Sequence, residues 1–204
     1  MPDNTKINKY LVVTFSALVL VCILLLNVTH EFTRETIADN RQLATRRIIQ
    51  DIVPAGSSND IFQDTLQITE PGYLGTSQPV TVYRARNGDE AMGVVYYPIM
   101  AEGYNNQIEL SIGISREDVI TGVRVIRENE TERLGDKVNQ HNSDWILAFT
   151  GKSYATVPRE QWTVSSEKGY FDQISGATIT SRSVIIAVRN TLDYHELAGE
   201  TLYK

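Results

Sequence analysis

The sequence predicts an α+β protein: one N-terminal transmembrane helix, followed by a domain that combines an antiparallel sheet with helices. Three observations support this fold class. A run of twenty uncharged residues starts at Tyr10, four β-rich runs lie between residues 80 and 127, and a helical pattern of apolar residues begins after Gly176. Strands grouped apart from helices along the chain are typical of the α+β class.

The run from Tyr10 to Thr29 predicts a membrane anchor, because it contains no charged residue. An α-helix rises about 1.5 Å per residue, so this run spans about 30 Å, the hydrocarbon thickness of a bilayer. A cleavable signal peptide has a shorter apolar core, of about 7–15 residues, and a small-x-small cleavage site. Here the run ends at Asn27-Val28-Thr29-His30. We therefore expect a retained, single-pass anchor.

The charges beside the anchor predict its orientation. Lys6 and Lys9 precede the run, and the positive-inside rule keeps such residues in the cytoplasm. Residues 30–204 would then lie outside. This predicts a protein of the cell inner (cytoplasmic) membrane with a periplasmic, extracytoplasmic C-terminal domain.

The composition of the part after the anchor excludes several classes of protein. Residues 31–204 carry 17 basic and 24 acidic side chains, a net charge of −7. Nucleic acid is excluded as a partner, since binding to its phosphate backbone requires a basic face. The only cysteine is Cys22, within the anchor, so the outer part has no intrachain disulfide, cysteine-based zinc site or four-cysteine iron–sulfur cluster.

Three segments follow along the chain. Residues 1–30 form a cytoplasmic tip and the transmembrane anchor. Residues 31–56 form a juxtamembrane segment, whose helix is predicted from apolar residues at helical spacing, without Gly or Pro until Pro54. Residues 57–204 form the α+β domain.

Four runs in this domain predict strands of a half-buried antiparallel sheet. Val80–Arg86 and Ala91–Met100 are joined through Asn87-Gly88, a dipeptide typical of a hairpin. Apolar residues alternate along Gln107–Ile114 and along Val119–Arg127. Such alternation is typical of strands with one buried face.

Two further segments predict helices. Residues 138–150 are expected to be helical, with Asn142 or Ser143 as the N-cap. The last helix begins after Gly176 and runs to about Leu197. Its buried stripe is formed by Val184, Val188 and Leu192, widened by Ile185 and Ile186.

The segment before this last helix has the composition of an anion site. It reads Asp172-Gln173-Ile174-Ser175-Gly176-Ala177-Thr178. A helix start offers unpaired N–H groups, and Gly176 and Ala177 let the backbone approach a bulky anion. Thr178 offers a hydroxyl that can be esterified, and Asp172 could orient or deprotonate it, or hold a divalent ion during attachment.

Helix capping is the competing interpretation, because Ser, Thr and Gly are common at helix N-termini. The short form Ser-Gly-Ala-Thr favours capping. The longer pattern Asp-x-x-(Ser/Thr)-Gly-Ala-(Ser/Thr) has a chance frequency of roughly one in 200,000 positions by average residue usage. The longer pattern therefore favours a dedicated site.

This segment resembles the flavinylation motif of the FMN-binding domain family. In that family the final Thr or Ser carries FMN through a phosphoester bond, which a flavin transferase makes from FAD with a magnesium ion. The resemblance implies one covalent FMN per chain, on Thr178. It places Asp172, Ser175, Gly176 and Ala177 at the recognition positions.

Two further runs, Leu134-Gly135-Asp136-Lys137-Val138 and Ser143-Asp144-Trp145-Ile146, resemble the G subunit of Rnf-type electron-transport complexes, called Rsx in some bacteria. The resemblance places Leu134 and Gly135 near the flavin. It implies an electron-transfer subunit, not a free-standing enzyme, in a translocase that couples ferredoxin/NAD electron transfer to ion transport. Its partners would be the other membrane subunits of the complex and, during maturation, the flavin transferase.

One loop departs from the family pattern. Family members carry Pro-Gly before Leu-Gly, within His-x-Glu-Thr-Pro-Gly-Leu-Gly, whereas this chain has Glu132-Arg133 before Leu134. Replacing Pro and Gly changes the φ angles that the loop adopts without strain.

Three other functions compete with this interpretation. The C subunit of the sodium-translocating NADH:quinone reductase has the same architecture, although its chains are typically longer and their equivalent loop is less similar. A membrane-anchored scaffold domain without a cofactor would explain the anchor and the sheet. A soluble oxidoreductase that binds FMN reversibly would lose its flavin on unfolding.

The remaining polar residues give no second site. His30, His141 and His195 lack metal-ligand spacing and are expected on the surface, and no metal site is predicted. Glu128, Glu130 and Glu132 alternate, which favours a solvated face. Tyr96, Tyr97 and Tyr104 could stack on a flavin or belong to the sheet and core. Spacing identifies no nucleophile–base pair, so no catalytic residue is assigned.

Overall fold

The computed structural model describes the backbone of residues 4–203 and the side chains of residues 10–203. The chain separates into two compact units at Arg46/Arg47. The first contains most of one long helix, and the second contains the α+β domain. Lys6 and Lys9, on which the predicted orientation rests, lie outside the residues whose side chains are described.

Helix α1 runs from Asn4 to Gln50 and is continuous over both the predicted anchor and the predicted juxtamembrane helix. Its part from Tyr10 is long and apolar enough to cross a membrane, and no residue of its most apolar stretch is buried. The helix ends before Pro54, whose ring disfavours a helical conformation of the residue before it. The three-segment division of the chain stays a prediction.

The domain is built on a five-stranded antiparallel sheet in the order β1-β2-β3-β4-β5. The predicted antiparallel sheet is thereby confirmed. The strands are β1 Thr65–Ile68, β2 Val80–Asn87, β3 Glu90–Glu102, β4 Gln107–Ser115 and β5 Ile120–Arg127. The β2–β3 hairpin turns on Gly88 and Asp89 alone, and Gly88 takes a left-handed φ of 60° at the first turn position.

Two elements lie in residues 55–78, where no element was predicted. Strand β1 pairs with β2 at the edge of the sheet, and the one-turn helix α2 covers Pro71–Leu74. The helix predicted over residues 138–150 is shorter than expected, a 3-10 helix from Asp144 to Phe149. Its predicted cap at Ser143 is confirmed, since the Ser143 hydroxyl accepts a hydrogen bond from the N–H of Trp145.

Helix α3, Thr178–Ala198, packs on β3 and β4 across one face of the sheet. Most of the predicted stripe is buried: Val184, Ile185, Val188 and Leu192 are all at most 1% exposed. The prediction is wrong for Ile186, which is exposed because it lies on the side of α3 that faces away from the sheet.

The opposite face is covered by a smaller cluster in which Ile49, Ile52 and Ile61 contact Ala85 and Val95. Both faces of the sheet are therefore buried, and the prediction of a half-buried sheet is wrong: residues 108–114 of β4 are all buried. The alternation of apolar residues did not show this, because Ser111 and Gly113 on the second face are small and Glu109 is bonded to Tyr97.

Candidate functional site

The candidate site begins at a tight turn that leads into α3. The N–H of Ala177 donates to the carbonyl of Ile174 at 2.9 Å, which places Ser175 and Gly176 in the middle of the turn. Gly176 has φ 79°, in the left-handed region, where a side chain would be strained. The glycine of the motif is therefore required by the turn itself.

One buried hydroxyl ties this turn to the helix. Ser181 Oγ accepts from the N–H of Ile174 at 3.0 Å and donates to the carbonyl of Ala177 at 2.9 Å. Ile174 and Ala177 are buried, so both ends of the turn are anchored in the core. The two residues between them, Ser175 and Gly176, are therefore held in a fixed conformation.

The first turn of α3 presents backbone donors. Within residues 4–203, the N–H groups of Thr178, Ile179 and Thr180 have no acceptor. The first turn also contains no acidic side chain. Because a helix N-terminus carries partial positive charge, this arrangement suits a phosphate group.

A cleft of about 450 Å³ opens beside these donors. Its walls come from three segments that are distant in sequence: the loop between β3 and β4, the loop after β5, and the start of α3. The lining residues are Tyr104, Glu130, Thr131, Leu134, Gly135, Gly176, Ala177, Thr178, Ile179 and Thr180.

The structure thus brings the predicted Leu134-Gly135 loop against the predicted motif. A Cβ atom added at Gly176 would lie 2.9 Å from Leu134 Cδ2, so the two segments are in close contact and a larger residue at position 176 would displace the Leu134 side chain. The loop reaches this position with Arg133 in a left-handed conformation, φ 62°, where the family pattern has Gly. The departure from the family pattern therefore adds local strain to a loop that still reaches the motif.

Four hydroxyl side chains lie in and beside the motif, and their surroundings differ. Thr180 is buried and donates to Glu130 Oε2 at 2.6 Å, while Ser181 is engaged in the turn. Ser175 is exposed and does not line the cleft. Thr178 is half-buried, lines the cleft and has no hydrogen-bonded partner for its hydroxyl among residues 10–203. Of the four, only the Thr178 hydroxyl is both unengaged and in the cleft.

Helix capping does not account for the motif. The N-cap residue of α3 is Ala177, which has no side chain capable of capping, and no side chain of the described residues caps the helix. The hydroxyls of Ser175 and Thr178 therefore lack the role that the capping interpretation assigns to them.

Asp172 lies apart from the cleft. Its side chain is exposed, and its carbonyl accepts a hydrogen bond from Trp145 Nε1 at 2.6 Å. It lines a neighbouring depression together with Lys152 and Tyr170. Asp172 does not line the cleft, so its role in attachment stays a prediction.

The expectation of a solvated Glu130 is wrong. Glu130 is only 8% exposed and faces the cleft, where it accepts hydrogen bonds from Thr180 and from the N–H groups of Tyr104 and Asn105. Alternating acidic residues resemble a surface strand. The donors that bury this one come from distant segments, which spacing alone cannot show.

The apolar part of the cleft is formed by large side chains that are unusually exposed. Tyr104 is 67% exposed, Ile179 49% and Leu134 40%. Exposed apolar residues gathered around one cleft are typical of a ligand site. Tyr104 is thus the tyrosine that the structure places at the cleft, whereas Tyr96 is buried in the core.

The expectation of a surface position is also wrong for His195, which is 3% exposed. His195 Nδ1 lies 2.8 Å from the Tyr96 hydroxyl, near the far end of α3 from the cleft. His30 and His141 are exposed as expected. Among the described residues, no group of three His, Cys, Asp or Glu side chains could hold a metal ion.

Comparison with known proteins matches residues 103–193 to the FMN-binding domain family. The G subunit of the ion-translocating oxidoreductase complex of Pseudoalteromonas atlantica is 37% identical over 180 residues, 88% of this chain and 84% of that protein. The protein of the same name from Shewanella loihica is 34% identical over 184 residues, 90% of this chain and 87% of that protein. The protein of the same name from Vibrio cholerae is 31% identical over 170 residues, which are 83% of this chain and 81% of that protein.

The fold and the cleft therefore define a protein with an FMN-binding domain behind one apolar helix suited to a membrane anchor. All three walls of the cleft lie within the matched region. At the identities above, the chain belongs to the family of G subunits of ion-translocating oxidoreductase complexes.

Proposed function

We propose that this chain is an electron-transfer subunit that carries one FMN, esterified through its phosphate to Thr178. The observation that carries the proposal is the position of the Thr178 hydroxyl, unengaged and in the cleft beside three unpaired N–H groups. FMN supplies reversible uptake of one or two electrons, and the protein binds and orients it.

The residues of the cleft fit the chemical groups of FMN. The N–H groups of Thr178, Ile179 and Thr180 suit its phosphate. The side chains of Tyr104 and Leu134, with that of Ile179, suit the flat apolar faces of its ring system. A covalent bond would keep the cofactor from diffusing away on the outer side of a membrane.

Attachment requires a second protein, as the family resemblance implies. The Thr178 oxygen would attack the FMN phosphorus of FAD, its proton would go to a base, and AMP would leave. Asp172, the first residue of the motif, is exposed and would be recognised by the flavin transferase that makes this bond.

The family assignment supports the place of this electron transfer in an ion-translocating complex of several subunits. We further propose that the electrons pass between ferredoxin and NAD through those partners. The chain's apolar helix contains no charged residue between Tyr10 and Thr29, so the ion path would belong to other subunits.

Intact mass tests the attachment. The full chain, co-expressed with a flavin transferase, is expected to gain the mass of one FMN minus water. Thr178→Ala is expected to gain nothing, whereas Thr178→Ser, which keeps a hydroxyl, is expected to be modified. Thr150→Ala is the matched control and is expected to be modified like the wild type, because it removes an exposed threonine hydroxyl outside both the motif and the cleft. An unmodified wild type, or a modified Thr178→Ala, would refute the proposal.

We further propose that the helix is anchored in the inner membrane and that the domain lies in the periplasm. Labelling of an introduced cysteine tests this orientation. Cys22 is the only native cysteine, and it lies in the apolar run. A Gln140→Cys variant places a thiol at an exposed position of the domain. A membrane-impermeant maleimide added to intact spheroplasts is expected to label this variant and not the wild type. Labelling only after lysis would reverse the proposed orientation.

A further inference from the structure

Glu130 is a buried carboxylate in the wall of the cleft. Its Oε2 accepts from Thr180 Oγ1 at 2.6 Å and from the N–H of Tyr104 at 3.2 Å, and its Oε1 accepts from the N–H of Asn105 at 3.0 Å. These three donors are uncharged. No lysine or arginine side chain among residues 10–203 lies within ion-pair distance of this carboxylate.

Two glycines make room for this carboxylate. A Cβ atom at Gly135 would lie 2.7 Å from Glu130 Oε2, and one at Gly103 would collide with Oε1. The β3–β4 loop, the loop after β5 and helix α3 therefore all close around the same group. The fold holds the Glu130 carboxylate in one position facing the cleft.

The cleft has no positive side chain to offset Glu130. Of the ten residues that line it, Glu130 is the only charged one. Tyr104, Leu134 and Ile179 supply apolar surface, which lowers the local dielectric and strengthens interactions between charges. A fixed negative charge there makes the addition of further negative charge less favourable.

We propose that Glu130 lowers the midpoint reduction potential of FMN bound in this cleft. The inference rests on the proposed function, since it requires FMN in the cleft. Each electron accepted by the flavin adds one negative charge unless a proton from solvent accompanies it, and the carboxylate opposes that charge. Glu130 is thus a residue that tunes the cofactor and exchanges neither electrons nor protons with it.

An equilibrium redox titration tests this inference. The flavinylated full chain in detergent is titrated with dithionite, which is oxidised to sulfite, while the flavin absorbance is followed at fixed pH. Glu130→Gln removes the charge and keeps the shape, so its midpoint is expected to move to a higher potential. The matched control is Glu132→Gln, which neutralises an exposed carboxylate two residues away, and its midpoint is expected to equal that of the wild type.

A second variant separates charge from packing. Thr180→Val removes one donor from Glu130 and keeps the carboxylate, which then opposes added electrons more strongly. Its midpoint is expected to move down, opposite to that of Glu130→Gln. If the midpoint potential of Thr180→Val is higher than that of the wild type, or if Glu130→Gln leaves the midpoint unchanged, the inference is overturned. If Glu130→Gln does not fold, Thr180→Val decides alone.

The failure of this inference is distinguishable from failure of the proposed function. Intact mass is measured first on every sample. A wild type without bound FMN mass refutes the covalent attachment, and the titration is then made on chain reconstituted with free FMN. Flavinylated protein whose midpoint does not respond to Glu130→Gln refutes the role of Glu130 alone.

Discussion

Acidification is expected to destabilise the domain through His195. The ring is buried, with Nδ1 2.8 Å from the Tyr96 hydroxyl and Nε2 3.3 Å from the Tyr203 hydroxyl. Burial lowers the pKa of His195 from 6.5 to about 4, and the positive charge of Arg116 acts in the same direction. Asp118 Oδ1 lies 3.4 Å from Nε2, a contact that would favour a charged ring. Its side chain is 53% exposed, so solvent weakens that attraction and burial dominates.

The sign and the size follow from this lowered pKa. The unfolded chain takes up the proton near pH 6.5, whereas the folded domain takes it up only near a pKa of about 4. The stability is therefore fully present above pH 6.5 and falls as the pH is lowered towards 4. A difference of one pKa unit corresponds to about 1.4 kcal/mol, so the full loss is about 3 kcal/mol, and between pH 7.5 and 5 it is about 2 kcal/mol.

Urea unfolding followed by tryptophan fluorescence measures this loss in the full chain in detergent. Both tryptophans, Trp145 and Trp162, lie in the α+β domain, so the signal reports that domain and not the apolar helix. His195→Gln removes the titrating ring. The free-energy difference between wild type and His195→Gln is expected to shrink by about 2 kcal/mol from pH 7.5 to pH 5.

His141→Gln serves as the control, because His141 is exposed and its replacement is expected to leave the pH dependence unchanged. An equal difference between wild type and His195→Gln at both pH values would show that the buried ring does not titrate differently on unfolding. Burial of His195 would then not lower its pKa in the folded domain.

Two further predictions concern stability, measured by the same urea unfolding. Arg133→Gly should relieve the backbone strain at φ 62°, because glycine adopts a left-handed conformation without a steric cost. Glu132→Gly is the control: it increases the backbone entropy of the unfolded state in the same way but relieves no strain, so Arg133→Gly should be about 1 kcal/mol more stable than Glu132→Gly. Equal stabilities would contradict this prediction. Phe149→Ala should lower the free energy of unfolding by about 3–5 kcal/mol, because Phe149 is fully buried. The control Leu197→Ala, at a position 68% exposed, should change it by less than about 0.5 kcal/mol. Similar losses in both would contradict the assigned core.

Regular elements were predictable where the pattern extended over enough residues. Eight or more residues of alternation indicated β4, and three turns of an apolar stripe indicated α3. Strand β1, by contrast, has four residues and lies at a sheet edge. So short a run gives no reliable period, and its pairing with β2 depends on contacts that a local pattern does not contain.

The candidate site was predictable only in part, for a similar reason. The glycine-alanine turn and Thr178 lie together in the sequence, so their shared role is visible as a motif. Glu130, by contrast, is buried with hydrogen bonds from Tyr104 and Thr180, and His195 is buried with a hydrogen bond to Tyr96. These partners are distant in the sequence, so no local motif shows them. A buried polar residue looks like a surface one until the fold brings its partners to it.

The strict order of the sheet affects how the domain is completed. Each strand pairs with its neighbour in the chain, so the sheet assembles through short loops with little entropy cost. The sheet and its loops do not suffice to form the cleft, because its third wall is the start of α3, near the C-terminus. Contacts between FMN and all three walls of the cleft can therefore form only in the complete fold, and FMN binding would stabilise that fold over partly folded forms.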